Sequence, residues 1–116
     1  MTELIRLCPV ADVLSEEPKR IELEKFPPLA VYALDGEYYV TDDTCTHGMA
    51  SLADGFIEGE EIQCPFHGGA FNIKTGEATE FPCSEPLKTY EVTVQDDVIY
   101  IQPLNKPTDG WRKKIN

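Results

Sequence analysis

Two short stretches gather the side chains with the most chemistry in this chain. Cys45-Thr46-His47-Gly48 and Cys64-Pro65-Phe66-His67-Gly68 each place a histidine two or three residues after a cysteine and follow it with glycine. His47 and His67 are the only two histidines among 116 residues, so ordinary core or surface roles account poorly for both falling in paired motifs. A soft thiolate offered together with an imidazole suits a transition metal or an iron–sulfur cluster. Two occupants fit the spacing. One is tetrahedral zinc held by Cys₂His₂, which would make the chain a structural or interaction module. The other is a two-iron cluster with the cysteines on one iron and the histidines on the other.

The elements that must position these residues read as strands. Alternating or apolar runs at 29–34 and 37–41 flank Asp35-Gly36, a strong two-residue hairpin signal. Runs at 56–58 and 61–63 flank Gly59-Glu60, a second hairpin that forms the return path between the two motifs. Residues 70–73 run into the turn Lys74-Thr75-Gly76-Glu77. Residues 87–94 alternate, then turn at Gln95-Asp96-Asp97 into 98–101, and 5–7 and 21–23 are expected as outer strands. Only 10–17 reads as helical, for one or two turns before Pro18. Nine prolines and eight glycines fit many tight connections, and the expected fold class is a small all-β sandwich or barrel. Each motif follows a strand, so the two loops can lie side by side at one end of a sheet.

Length allows one domain, with residues 105–116 as an appendage. Residues 1–104 hold 20 acidic and 6 basic side chains, whereas 105–116 hold 4 basic and 1 acidic, for a net charge of −11. No lysine or arginine falls between Lys25 and Lys74, while Asp35, Glu37, Asp42, Asp43, Asp54, Glu58, Glu60 and Glu61 do. This acidic balance argues against nucleic acid and anionic membranes as partners and favours basic protein surfaces. No stretch approaches a membrane span and no cleavable leader is visible at 1–10, so a cytoplasmic setting is expected, with reduced cysteines. Cys8 and Cys83 are then free, partly buried thiols with no required function, although a bridge between them is open.

The two motifs resemble the signatures of Rieske [2Fe–2S] proteins. The resemblance extends over about residues 3–103, taking in the Asp35-Gly36 hairpin, Asp54-Gly55, Phe71 and Thr75-Gly76-Glu77. It is strongest to the small Rieske ferredoxins of bacterial aromatic-ring-hydroxylating dioxygenases. The resemblance implies a Rieske domain over 1–104 with three antiparallel sheets, in which a cluster-binding subdomain, about 44–83, is inserted in a basal barrel or sandwich. It assigns Cys45 and Cys64 to one iron, and His47 and His67, through Nδ1, to the other. Neutral imidazoles in place of two thiolates leave the reduced cluster less negative, consistent with potentials of roughly −150 to +300 mV against about −400 mV for plant-type ferredoxins.

Departures from the respiratory branch of the family are also informative. Ala50 and Phe66 stand where that branch carries a disulfide, and Gly69 and Phe71 where it places a serine and a tyrosine hydroxyl. Those two hydroxyl hydrogen bonds to the cluster are therefore expected to be absent, and the potential to sit at the low end of the Rieske range. Phe81-Pro82 resembles the loop that shields the cluster in this family.

The chain has no G-x-G-x-x-G for a flavin or nicotinamide cofactor. With both histidines on the cluster, none remains for a mononuclear iron triad. The resemblance implies a non-catalytic electron carrier between a flavoprotein reductase and the Rieske centre of a terminal oxygenase. A Rieske subunit of another system, of nitrite-reductase or monooxygenase type, is the alternative. The apolar Met49, Ala50, Leu52, Pro65, Phe66 and Pro82 are expected to shield the cluster or form the contact patch, with acids steering the encounter.

Overall fold

The strand Leu29–Leu34 is the wall on which the molecule is built. Leu29, Ala30, Val31 and Tyr32 are all fully buried, which a strand achieves only when both of its faces are covered. Its residues alternate between two hydrophobic clusters: Leu29 and Val31 enter one with Leu7, Val40, Ile99 and Ile101, whereas Ala30, Tyr32 and Leu34 enter the other with Leu52, Ile62, Phe71 and Ile73. The side-chain period of two accounts for this division. Each such aliphatic side chain contributes about 1.5–3 kcal/mol by burial.

The computed structural model describes residues 4–24, 26–46, 50–65, 69–81 and 83–102. Its strands are β1 (Ile5–Pro9), β2 (Lys19–Ile21), β3 (Leu29–Leu34), β4 (Glu37–Asp42), β5 (Phe56–Glu58), β6 (Glu61–Gln63), β7 (Ala70–Asn72), β8 (Ala78–Glu80), β9 (Thr89–Tyr90), β10 (Val92–Gln95) and β11 (Val98–Ile101). They form three antiparallel sheets of order β1-β11-β10, β2-β3-β4-β9 and β5-β6-β7-β8, the all-β architecture expected. None of the described helices is long and apolar enough to cross a membrane.

Both expected hairpins are present. Asp35 and Gly36 take φ values of 50° and 83°, the left-handed pair that a tight β3–β4 hairpin needs. Three expectations are corrected. The segment 10–17 forms only a 3-10 turn at Val10–Asp12, because Glu16 adopts a left-handed φ of 68° and Ser15 bridges to Ala33. The outer strand expected at 21–23 lies at Lys19–Ile21, where it pairs with β3. The single strand expected at 87–94 is two strands, β9 on β4 and β10 on β11, since the chain crosses between sheets at Glu91. β8 carries no strong strand pattern and owes its place to pairing with β7.

The third sheet is inserted between β4 and β9, which are themselves neighbours: Val40 faces Tyr90 and Thr41 faces Thr89. The excursion therefore leaves and returns at one place. That junction is tied by the Asp42 N–H to the Lys88 carbonyl at 3.0 Å and by the Tyr90 hydroxyl to the Asp42 carboxylate at 2.6 Å.

Candidate metal centre

The first motif hangs from the end of β4 in a loop closed at its neck. Thr44 bridges to Ser51, and the Cys45 N–H donates to the Ala50 carbonyl at 3.0 Å. The second motif, between β6 and β7, is closed the same way by the Cys64 N–H donating to the Gly69 carbonyl at 2.7 Å. Each loop thus spans from the cysteine to the fifth residue after it, and each expected histidine falls inside that span.

Asp43 anchors the first loop. Its carboxylate is 1% exposed and accepts the Ala53 N–H at 2.9 Å, the Ser51 hydroxyl at 2.6 Å and the Arg20 guanidinium at 3.3 Å. Its carbonyl accepts the Leu52 N–H at 2.7 Å, and its own N–H donates to Pro28 at 2.9 Å. A buried carboxylate is tolerable only with such partners. Here they bind both ends of the loop to the base of the fold. Gly55, just beyond, must be glycine because a Cβ there would collide with the Gln63 carbonyl at the entrance to the second loop.

A third loop, after β8, joins the first two. The Thr46 hydroxyl donates to the Glu85 carbonyl at 2.8 Å. Cys83 sits with its Sγ 3.8 Å from Cys45 Sγ, and a Cβ on Gly69 would run into it. Cys45, Cys64 and Cys83 are all buried in the same apolar cluster, and burial pushes the Cys83 thiol pKa up, with Cys45 and Cys64 acting in the same direction.

The structure therefore brings Cys45 and Cys64 into one buried environment. His47 and His67 lie outside the described residues, as do Met49, Phe66 and Pro82. The donor chemistry fits a two-iron cluster: two cysteine sulfurs are buried in matched loops, and in the sequence each motif carries a histidine between its cysteine and the fifth residue after it. No disulfide joins any of the four cysteines. Cys8 packs in the basal cluster and Cys83 in the other, so no bridge joins them.

Of the apolar residues expected to shield the cluster or form the contact patch, Ala50 and Leu52 are 4% and 0% exposed, which leaves them the shielding role, because the neck of the loop turns their side chains inward. Pro65 is exposed, as are Phe56 and Phe81 at 60% and 88%. The row Phe56, Gln63, Ala70, Glu80 crosses the inserted sheet, so Phe56 and Phe81 stand at its opposite edges beside the loops. Asp43 and Cys83 were not legible as site residues. Asp43, two positions before Cys45, sits in a run of acids that reads as surface, and Cys83 reaches Cys45 from 38 positions away.

Comparison with known proteins agrees with this geometry. The model of the Rieske [2Fe-2S] domain family matches residues 3–91. The ferredoxin component of the p-cumate 2,3-dioxygenase system of Pseudomonas putida is 42% identical over 102 residues, covering 87% of this chain and 86% of the relative. The solved ferredoxin of Sphingomonas yanoikuyae B1 superposes with a TM-score of 0.86 at 52% identity, covering 88% of this chain and all of that one. A chain in a solved complex of reduced oxygenase and oxidized ferredoxin in carbazole 1,9a-dioxygenase superposes with a TM-score of 0.84 at 40% identity, covering 91% and 98%.

Proposed function

The chain belongs to the Rieske [2Fe–2S] family, and from that premise we propose that it carries single electrons from a flavin-dependent NAD(P)H reductase to the Rieske centre of a terminal ring-hydroxylating oxygenase. The observation that carries the reading is the pair of loops closed alike from Cys45 to Ala50 and from Cys64 to Gly69, on a chain similar to ferredoxin components of dioxygenase systems.

In this reading Cys45 and Cys64 hold one iron and His47 and His67 the other, within a cluster-binding unit of about 44–83 set on the basal sheets. When bound, the cluster supplies a reversible one-electron couple. The protein contributes the rest. The buried thiolates are kept dry by Leu52, Ile62 and Phe71, each fully buried, which limits solvent reorganisation at the thiolate-bearing side. The third loop, held by Thr46 and Glu85, closes over Cys45. Exposed Pro65 and Phe81 offer a small apolar contact, and the acids Asp54, Glu80 and Glu85 of the same loops and strands are exposed too. Acidic surroundings steer the encounter toward basic partner surfaces, and a small redox contact releases quickly. The role is that of a carrier rather than a catalytic subunit. Its four cysteines, none in a disulfide, suit a reducing, cytoplasmic setting.

The test is composition and reconstitution. The isolated protein is expected to be red-brown, to contain iron and acid-labile sulfide, and to bleach with dithionite. It is expected to stimulate product formation when mixed with a ring-hydroxylating oxygenase and its reductase. Colourless protein containing zinc overturns the reading. Loaded protein that supports only a nitrite-reductase-type or monooxygenase partner transfers it to another redox system.

A further inference from the structure

We propose that the Cys83 thiol donates a hydrogen bond to the Cys45 sulfur and thereby raises the reduction potential of the cluster. The inference rests on the ligand set proposed above and concerns a residue outside both motifs.

The two sulfur atoms are 3.8 Å apart, a hydrogen-bonding separation for sulfur, and both residues are buried. Which of them donates follows from the chemistry of ligation. A cysteine bound to iron does so as a thiolate and has no proton to give, so Cys45 can only accept. Cys83 lies outside the proposed ligand set and is a thiol, which supplies the S–H. The backbone N–H of Cys83 is already engaged with the Glu80 carbonyl at 3.0 Å, which fixes the chain at the point from which the side chain reaches inward.

Gly69 is the second observation. A Cβ at that position would strike Cys83 Sγ, with Cys83 Cβ and N both 3.1 Å away. The second motif loop thus ends in the one residue type that lets the thiol enter. The space beside the loops is filled by a weak donor from the third loop, a contact separate from the serine and tyrosine hydroxyl bonds that Gly69 and Phe71 replace. Reduction places additional negative charge on the cluster and its thiolates. A donor aimed at Cys45 Sγ stabilises that state more than the oxidised one, and the potential rises.

The experiment compares Cys83→Ala and Cys83→Ser with the native protein, each loaded with cluster. Iron and sulfide content and the EPR spectrum report on the ligand set, and redox titration reports on Cys83. Cys83→Ala is expected to load normally and, at fixed solution potential, to show a several-fold lower ratio of reduced to oxidised protein; tenfold corresponds to about 59 mV for one electron. Cys83→Ser keeps a donor and is expected to titrate above Cys83→Ala. An unchanged potential in fully loaded Cys83→Ala overturns the proposal, as does an equal shift in both variants.

Should Cys83→Ala fail to hold iron, loaded Cys8→Ala protein provides the measurement, because Cys83 is then its single protonated thiol. Its Raman S–H stretch is expected below the position of a non-bonded thiol, and lower still on reduction. A band at the non-bonded position, unmoved by reduction, overturns the proposal.

Discussion

The Ser51 hydroxyl donates to the buried Asp43 carboxylate across 2.6 Å. This contact spans the neck of the first motif loop, so a change at either residue is felt at Cys45 without touching a ligand. Ser51→Ala removes one partner of a buried charge and is expected to cost about 1–3 kcal/mol. Asp43→Ala removes all the side-chain bonds at once and is expected to cost more and to lower iron content. Thermal melts with iron analysis check both. Normal loading with an unchanged melting temperature in Asp43→Ala would remove Asp43 from its positioning role.

The close approach of Gly69 to Cys83 predicts a non-additive pair. Gly69→Ala is expected to destabilise the protein by about 1–3 kcal/mol through overpacking. Cys83→Ala in the same chain is expected to restore part of that loss, because the thiol is the atom struck first. A double-mutant cycle in chemical denaturation reads the coupling. Additive losses would show that the clash is relieved elsewhere.

The Asp42–Tyr90 contact sets a pH dependence at the junction between base and insertion. Burial raises the Asp42 pKa above its ordinary 3.8, although Tyr90 and Lys88 oppose the shift. A carboxyl raised in the folded state favours folding when protonated, so its penalty is full above the raised value and absent below 3.8. Asp42→Asn, which keeps an acceptor for Tyr90, is therefore expected to gain stability relative to the native protein at neutral pH and to lose that gain as pH falls toward 3.8. Urea midpoints across this range test the sign. Tyr90→Phe is expected to destabilise at neutral pH by about 1–3 kcal/mol, since it leaves the carboxylate without its donor.

Docking by acids around an apolar contact predicts a salt response. Electron delivery to a basic partner is expected to slow as ionic strength rises, because the screening length falls from about 10 Å at 0.1 M to about 3 Å at 1 M. Phe81→Ala is expected to weaken delivery at all salt concentrations with the melting temperature unchanged, since Phe81 is 88% exposed. Stopped-flow transfer rates separate the two effects.

Much of this was readable from local pattern. The hairpin at Asp35-Gly36 declared itself by turn chemistry, and the continuous apolar run of β3 by its composition. The two motifs pointed to Cys45 and Cys64, and resemblance supplied the arrangement of sheets. What stayed hidden depends on contacts distant in sequence. The split between β9 and β10 is invisible because residues on both sides of Glu91 suit a strand, and only the partners, β4 and β11, differ. The segment 10–17 has helical composition but is held by the Ser15 bridge to Ala33. Asp43 reads as one more surface acid until Ser51, Ala53 and Arg20 converge on it. Cys83 reads as a spare thiol until the third loop folds back over Cys45.

Thr41 and Thr89 are cross-strand partners, so the excursion from 42 to 88 begins and ends on a pair that a tight turn could join directly. The redox unit is in effect a cassette plugged into a two-pin socket. A shortened chain closed across those pins should still assemble the platform beneath. Conversely, the cassette could be transplanted to any antiparallel ladder offering the same two anchor points, carrying its electron-transfer chemistry to a scaffold with different partners.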